Sequence, residues 1–591
     1  MISGSSYRNK VCMKENAICL SGVLTGSLLA AVLALSGCVV QEEGSKLEEQ
    51  PSKEKLAALF DTSNGFPAAL SNSWKIWGHH NNLFTHHFGA DPTATVFNDR
   101  VYLYTSNDTL LYDKDGGVRD NEYGYGIQGI NVSSSSDLVN WTDHGVINIA
   151  GPVSTNPLVN LGTPLVNYAV ASWAPSVTWK MIDGKPRFFL YWCNTGNGVG
   201  VVTSDSPTGP WTSPLNKLLV DRGTSNCSSV IWLFDPGVLA DEDGSGYLFL
   251  GGGTNDSMTN FDNTGQARRV RLGDDMISII GTPETFYVPY LFEAMNMFKY
   301  NGKYYLTYTT NWNTGGNRFG LQNAEIAYMT ADDPMGQFSD PKGILKMNQL
   351  NSGDSNNHQA IFEFKNQLYI AYHTQKPSQA MGIPNGYNYR TASIDEVTVN
   401  ADGSVPPITM TRKGVDQVGR LNPYVPNEAV TIGIQGGIYT RPESGAGNGM
   451  VVTSIDTGDW LGVYGVDFGS AGAKKFLARV RTPHAPANYT GGIELRLDPE
   501  ADGVTGDNGN LSGTAVTRIR NGEVIGRLLI KAKPGEAGKY STVIINLDKT
   551  VTGVHDLVFV FYSSLGIRPE TVEPDSRHKD SFEFDQWQFF E

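Results

Sequence analysis

The sequence predicts an all-β protein: a five-bladed β-propeller followed by a β-sandwich of jelly-roll type. Three observations carry that reading. One hairpin-like string recurs five times in fixed order. The stretches between the copies carry no helical periodicity. Beyond Asn427 the repeat gives way to short alternating strands with Gly-rich turns, the pattern of a sandwich.

The five copies are "GADPTATVFNDRVYLYTS" from Gly89, "WAPSVTWKMIDGKPRFFLYW" from Trp173, "FDPGVLADEDGSGYLFLGG" from Phe234, "FEAMNMFKYNGKYYLTYTT" from Phe292 and "NHQAIFEFKNQLYIAYHT" from Asn357. Each has a short apolar run, an Asn, Asp or Gly turn, and a strand rich in Tyr, Phe and Leu, which is the signature of a β-hairpin. A second string, a Ser/Thr-Asp turn leading to an aromatic and another strand, recurs from Ser133, Thr203 and Thr330. Ordered repetition of strand units points to radial repetition, hence a propeller. The equivalent positions are Asp91, Ala174, Asp235, Glu293 and His358, separated by 83, 61, 58 and 65 residues. That exceeds the roughly 40–50 residues of common propeller repeats, so each blade has room for long loops, where function concentrates.

A lone Asp-Pro such as Asp91-Pro92 reads as turn punctuation. The repeat changes its meaning. In a propeller the first strand of each blade lines the central channel, so Asp91, Asp235, Glu293 and His358 converge there with one alanine. Converging like charges raise one another's pKa and cost stability, so the set points to a site rather than to turns. Three carboxylates around an aromatic-rich pocket suit glycoside hydrolysis, with one acid for the leaving oxygen and one base for water. A third carboxylate can keep the acid protonated and oriented.

These strings, with "WAPSVTW", "SPTGPW" and "NNHQAIFEFKNQLYIAYH", resemble glycoside hydrolase family 43 from about Trp77 to Pro423. The resemblance implies a five-bladed propeller and an inverting single displacement. It assigns Asp91 as general base, Glu293 as general acid, and Asp235 as the carboxylate that tunes and orients the acid. It also places His358 beside a structural calcium ion and its waters on the channel axis, and Arg390 near the pocket. Trp173 and Phe234 adjoin ring positions and are candidates to pack on sugar faces, with core packing as the alternative. His373 reads as structural.

The segment from Asn427 resembles carbohydrate-binding module family 6 through "IDTGDWLGVYGVDFGSAGAKKFLARV", "GGIELRLD", "VTGVHDLVFVF" and "SFEFDQWQFF". Its functional positions depart from the family. Val430 replaces the second acid of an opening acid-Ala-acid string that helps to hold calcium. Tyr540 stands where a tryptophan usually forms the stacking platform, and Glu583 where an asparagine contacts sugar. Weak binding at the loop cleft is the expectation, with Trp460, Tyr464 or Tyr562 as an alternative surface.

At the N-terminus, Arg8, Lys10 and Lys14 precede the apolar run "ICLSGVLTGSLLAAVLAL" and the ending "LSGC" at Cys38, a signal-peptide pattern whose end resembles the bacterial lipobox. The expectation is export with Cys38 lipidated, at the cell surface or the outer membrane of a Gram-negative host. A polar tether follows. The domain reading is 1–38 signal and lipobox, 39–75 tether, 76–425 propeller and 426–591 module. Cys193 and Cys227 remain in the mature chain, as a disulfide or as two buried thiols. The net charge of −15 excludes charge-driven binding to nucleic acid or an anionic membrane.

The function expected is an exo-acting α-L-arabinofuranosidase trimming arabinoxylan or arabinan, with plant-type pentose glycans as partners and no organic cofactor. The alternatives are a β-xylosidase and, from another class, a non-catalytic surface glycan-binding lipoprotein. Loss of a triad carboxylate would favour the last, and all three are present.

Overall fold

The fold comes from a computed structural model, which describes residues 50–591 apart from 110–126, 151–162, 350–356, 384–388, 444–448, 503–517, 568–580 and a few single positions. Cys38 with its lipobox, and most of the stretch from Asp113 to Gly129, lie outside the described residues.

Five antiparallel sheets form the propeller. Blade one comprises Gly89–Phe97, Arg100–Asn107, Gly129–Ser135 and Trp141–Asn148. Blade two runs from Trp173–Ile182 to Val220–Asp221, blade three from Gly237–Ala240 to Ile279–Thr285, and blade four from Leu291–Tyr300 to Lys342–Leu345. Blade five has three strands, Gln359–Phe364, Gln367–Thr374 and Thr391–Val397. The first strands of successive blades touch one another, and the first touches the fifth, so the ring closes.

The hairpins form where the turn chemistry demands. Asn98-Asp99, Asp183-Gly184, Asn301-Gly302 and Lys365-Asn366 all take positive φ at both turn residues, the twist that joins two right-twisted strands through a two-residue loop. The apolar faces behind these hairpins meet between blades. Phe188, Leu190 and Trp192 of blade two pack with Tyr104, Ile130 and Val132 of blade one. Further wedges lie between blades two and three, three and four, four and five, and five and one. The lead-in before Gly89 closes the circle: the Leu83 and Gly89 N–H groups donate to the Ala392 and Arg390 carbonyls, 2.8 and 2.7 Å away.

The C-terminal sandwich has two sheets. One holds Tyr439–Pro442, Met450–Thr453, Glu583–Phe590, Ala473–Arg481 and Ser541–Val551. The other holds Ile434–Gly436, Trp460–Asp467, Val554–Ser563, Thr490–Leu497 and Glu523–Lys531. Phe476, Phe559, Phe584, Trp587 and Phe589 fill the space between them. Val430 is fully buried in this core, which explains an apolar residue there.

Two features differ from the sequence reading. The Thr431–Ile432 strand pairs with Trp141–Thr142 and becomes a fifth strand of blade one, so sandwich and propeller share a sheet. The stretch expected to be a tether is folded from Gln50 onward. It forms the helix Lys53–Leu59 and packs Phe60, Phe66 and Leu70 against Ile434, Trp460, Tyr464 and Val560. The Gln50 side-chain amide bonds Leu529 N–H and C=O, and Ser71 Oγ donates to Asp459 at 2.6 Å. The physical reason is apolar spacing: a polar composition concealed three apolar side chains that bury on the module. Trp460 and Tyr464 are thereby covered, 0% and 4% exposed, so they form no open sugar surface; Tyr562 is half-buried against Phe60.

Candidate active site

The site is built from irregular backbone at the start of the inner strands. Asp91, Ala174 and Asp235 adopt φ of 53°, 39° and 47°, each immediately before a proline. The pairing register slips at Ala90/Thr93 and at Trp173/Ser176, marking β-bulges. Such bulges re-aim a side chain at the rim of a sheet, and a strained non-glycine φ persists only where the surroundings hold it. Here neighbouring blades do the holding. The Asp91 N–H donates to His373 Nδ1 (3.0 Å), the Ala174 N–H to Ser106 Oγ (2.8 Å), and the Ala294 N–H to Asp235 Oδ2 (3.1 Å). In blades one, two and four the irregular residue is thus gripped by a polar side chain from the preceding blade.

In blade four the left-handed residue is Ala294, with φ of 62°, rather than Glu293. Glu293 stands one place earlier, flanked by register slips on both sides. The five-position equivalence read from the sequence is therefore offset by one residue at the acid. His358 precedes the blade-five inner strand and is absent from the left-handed set.

Asp91, Asp235 and Glu293 are 5%, 4% and 8% exposed. Their environments differ. Burial opposes charge on Asp91, but Arg390, His358, His373 and the Ser106 hydroxyl outweigh it and lower its pKa to about 2. Ser106 donates to Asp91 Oδ2 at 2.7 Å, and Arg390 reaches Oδ1 at 3.3 Å. Glu293 goes the other way: burial, then the charges of Asp235 and Asp91, push it well above the carboxylate range. Burial and Asp91 also raise Asp235. Asp235 accepts a backbone N–H, whereas Glu293 Oε1 is buried with no hydrogen-bond partner among the described residues. Asp235 is therefore better placed to carry the charge and Glu293 the proton. The arrangement holds one carboxylate ionised and one protonated in the same pocket, which is what acid–base catalysis at a single bond requires.

Arg390 is 3% exposed, and its anchor is a residue missed in the sequence. Asp108, fully buried, accepts from the Arg390 backbone N–H, Nε and Nη2, all at 2.9 Å. This fork fixes the guanidinium beside Asp91. Asp108 ends the second strand of its hairpin, and the repeat directed attention only to first strands.

Among the aromatics, Trp173 stacks on Trp232 (6.4 Å, 25°), and Trp232 lies 5.5 Å from Phe234. Phe234 is 7% exposed and sits in the core between blades two and three, whereas Trp232 is 40% exposed. The open face of this group thus belongs to Trp232, unremarked in the sequence because a lone tryptophan two residues before the motif carries no signal. Cys193 and Cys227 are free, buried thiols, and Cys193 Sγ lies 3.9 Å from Asp235 Oδ1.

His358 Nδ1 lies 3.5 Å from Asp91 Oδ1 and 3.9 Å from Asp235 Oδ2. Asn296 Oδ1 and Gln359 Oε1, on the inner strands of blades four and five, are buried without a hydrogen-bond partner among the described residues. Oxygen atoms of this kind are the ligands calcium takes.

The module's loop cleft is filled by its own charges. Arg479 lies 3.5 Å and Arg481 5.0 Å from the Tyr540 ring centre, occupying the stacking face. Glu583 is 1% exposed and ion-paired with Arg481 and Arg441, while Asp585 pairs with Arg479.

Comparison with known proteins agrees with this geometry. Residues 80–405 match the glycosyl hydrolases family 43 model, and residues 428–568 match the carbohydrate binding module (family 6) model. An arabinoxylan arabinofuranohydrolase of Paenibacillus polymyxa is 41% identical over 497 residues, covering 83% of this chain and 73% of that protein. One of Bacillus subtilis (strain 168) is 39% identical over 543 residues, covering 90% and 97%. The crystal structure of a Bacillus subtilis family 43 arabinoxylan arabinofuranohydrolase, in complex with cellotetraose, aligns with a TM-score of 0.76 at 38% identity, over 88% of this chain and 99% of that one. With both domains matched and the fold shared along most of its length, the chain belongs to glycosyl hydrolase family 43 and carries a family 6 carbohydrate-binding module.

Proposed function

We propose that this glycoside hydrolase is an exo-acting α-L-arabinofuranosidase that removes arabinofuranosyl side chains from arabinoxylan or arabinan with inversion. The observation that carries the mechanism is the burial of Asp91 and Glu293 together in unlike surroundings: Arg390 and the Ser106 hydroxyl meet Asp91, whereas Glu293 Oε1 has no hydrogen-bond partner among the described residues. Glu293 donates its proton to the glycosidic oxygen as the bond to the anomeric carbon breaks. Asp91 takes a proton from the water that attacks the opposite face. Asp235 keeps the acid protonated through its charge, and its bond to the Ala294 N–H holds the backbone next to Glu293. Trp173 and Trp232 offer an aromatic face to the sugar. The choice of arabinose rests on the two arabinoxylan arabinofuranohydrolases and their length of match.

A calcium ion beside His358 on the propeller axis would supply fixed positive charge near the carboxylates. The lipobox string supports export and a lipid anchor at Cys38. The test is product release from arabinoxylan, arabinan and xylo-oligosaccharides, with the first-formed anomer read by NMR. β-L-Arabinofuranose as the initial product supports the proposal. Xylose as sole product would establish a β-xylosidase, retention would remove the single displacement, and no release with retained glycan binding would indicate a binding protein.

A further inference from the structure

We propose a zinc site, separate from the catalytic pocket, that joins the start of the propeller to the sandwich through His86, His87 and Asp143. Donor atoms of all three lie within 4.8 Å of one another. His86 and His87 belong to the lead-in, and Asp143 to the blade-one strand Trp141–Asn148. The His86 side chain is 2% exposed and the Asp143 side chain 7%.

Three features point to a cation. Among the described residues, the ring nitrogens of both histidines are buried with no hydrogen bond of ordinary geometry, the nearest polar group being Asp143 at 3.5 Å from His86 Nε2. Four orphaned polar atoms at one spot are costly, because a buried group without a partner loses its hydration without compensation. The second feature is the carboxylate. Asp143 accepts from the Gly145 N–H (2.7 Å) and the Thr440 hydroxyl (2.6 Å), and lies 3.5 Å from His86 Nε2. These partners are dipoles, apart from an imidazole that is uncharged unless protonated. A bound cation would balance the charge. The third feature is ring orientation. His87 stacks on Phe84 (4.6 Å, 26°) and stands perpendicular to His86 (4.5 Å, 90°). Phe84 in turn packs edge-on against Trp141. Apolar packing thus fixes both imidazoles while leaving their nitrogens unsatisfied.

The donor set selects the metal. Two imidazoles and one carboxylate suit zinc, which tolerates mixed N/O ligation and favours tetrahedral sites. Tetrahedral bonds of about 2.0–2.1 Å hold ligand atoms roughly 3.3 Å apart, so a small inward movement of the histidines completes the site. The Thr440 oxygen, on the module strand Tyr439–Pro442, lies against Asp143 and is available as a fourth ligand or as the group that orients the carboxylate. The ion would clamp three pieces of chain: the lead-in four residues before Asp91, the outer part of blade one, and the sandwich. Its role is to hold the catalytic base and the module in fixed relation. It takes no part in the reaction.

The test uses the mature full-length chain, stripped with chelator and titrated with zinc chloride, with calcium chloride as control. Metal content is read by mass spectrometry and stability by calorimetry. The proposal expects about one zinc per chain and an upward shift in Tm of roughly 5 °C that calcium does not reproduce. His86→Gln and His87→Gln should each abolish tight zinc binding and the shift; Asp143→Asn is less useful because it also removes the bonds to Gly145 and Thr440. Cobalt substituted for zinc should give the visible absorption of a tetrahedral site, lost in the same variants. Absence of zinc binding by the wild-type chain would overturn the proposal. So would zinc binding that persists at full stoichiometry in both histidine variants.

Discussion

Two sets of buried carboxylates in this molecule are treated in opposite ways. In the sandwich, Glu494 is 1% exposed and lies 2.6 Å from both Arg496 and Arg527, while Glu583 sits between Arg481 and Arg441. On the propeller axis, Asp91, Asp235 and Glu293 share one arginine among the described residues, Arg390, with the imidazoles of His358 and His373 beside Asp91, and Asp108 already engages that arginine through Nε and Nη2. The sandwich compensates its charge fully and so gains structure. The propeller leaves charge under-compensated and so gains groups with displaced pKa values. Under-compensation is the physical mark of the reacting site.

The largest effect that tests this contrast is on turnover. Asp91→Asn should lower kcat/KM by about 10⁴-fold on arabinoxylan and on an aryl arabinofuranoside alike, since water needs its base whatever departs. Glu293→Gln should cost about 10²–10⁴-fold on arabinoxylan but only about tenfold on the aryl substrate, whose leaving group needs no proton. Equal losses on both substrates would remove Glu293 from the acid role.

Stability should separate the same two regions. Glu494→Gln breaks a fully paired buried group and should cost about 3–5 kcal/mol in urea unfolding. Glu293→Gln replaces a protonated acid by an amide of the same shape and should change stability by less than about 1 kcal/mol. Similar costs for the two would show that the axis is as well compensated as the module.

Arg390→Gln should shift the pH profile of kcat/KM. The base must be ionised, so the acid limb follows Asp91, which Arg390 helps to hold near 2. Removing the positive charge raises that pKa and moves the acid limb to higher pH. Arg390 also lowers Glu293, so the alkaline limb, which follows loss of the acid's proton, should move up as well. A profile that loses height without moving would assign Arg390 to scaffolding alone.

The smallest effect is expected at the module cleft. In a full chain inactivated by Glu293→Gln, Tyr540→Ala should leave retardation by xylan or arabinan in affinity electrophoresis unchanged, because Arg479 already covers that ring. A clear loss of retardation would show that the cleft binds glycan despite its arginines.

The sequence alone determined the number of blades, the sandwich and the three carboxylates. The hairpin turns and inner-strand motifs are local, and local pattern is what a sequence displays: Asn301-Gly302 and Asp91-Pro92 act through their own φ preferences. Tertiary structure alone decided which groups compensate those carboxylates. Asp108 and Arg390 are 282 residues apart, Asp143 and Thr440 are 297 apart, and Gln50 and Leu529 are 479 apart. None of these pairs joins equivalent positions of the repeat, so no periodicity announces them. Burial made the difference: a carboxylate's pKa depends on the charges and dipoles within a few ångströms once water is excluded. Chain folding brings those neighbours together from distant strands.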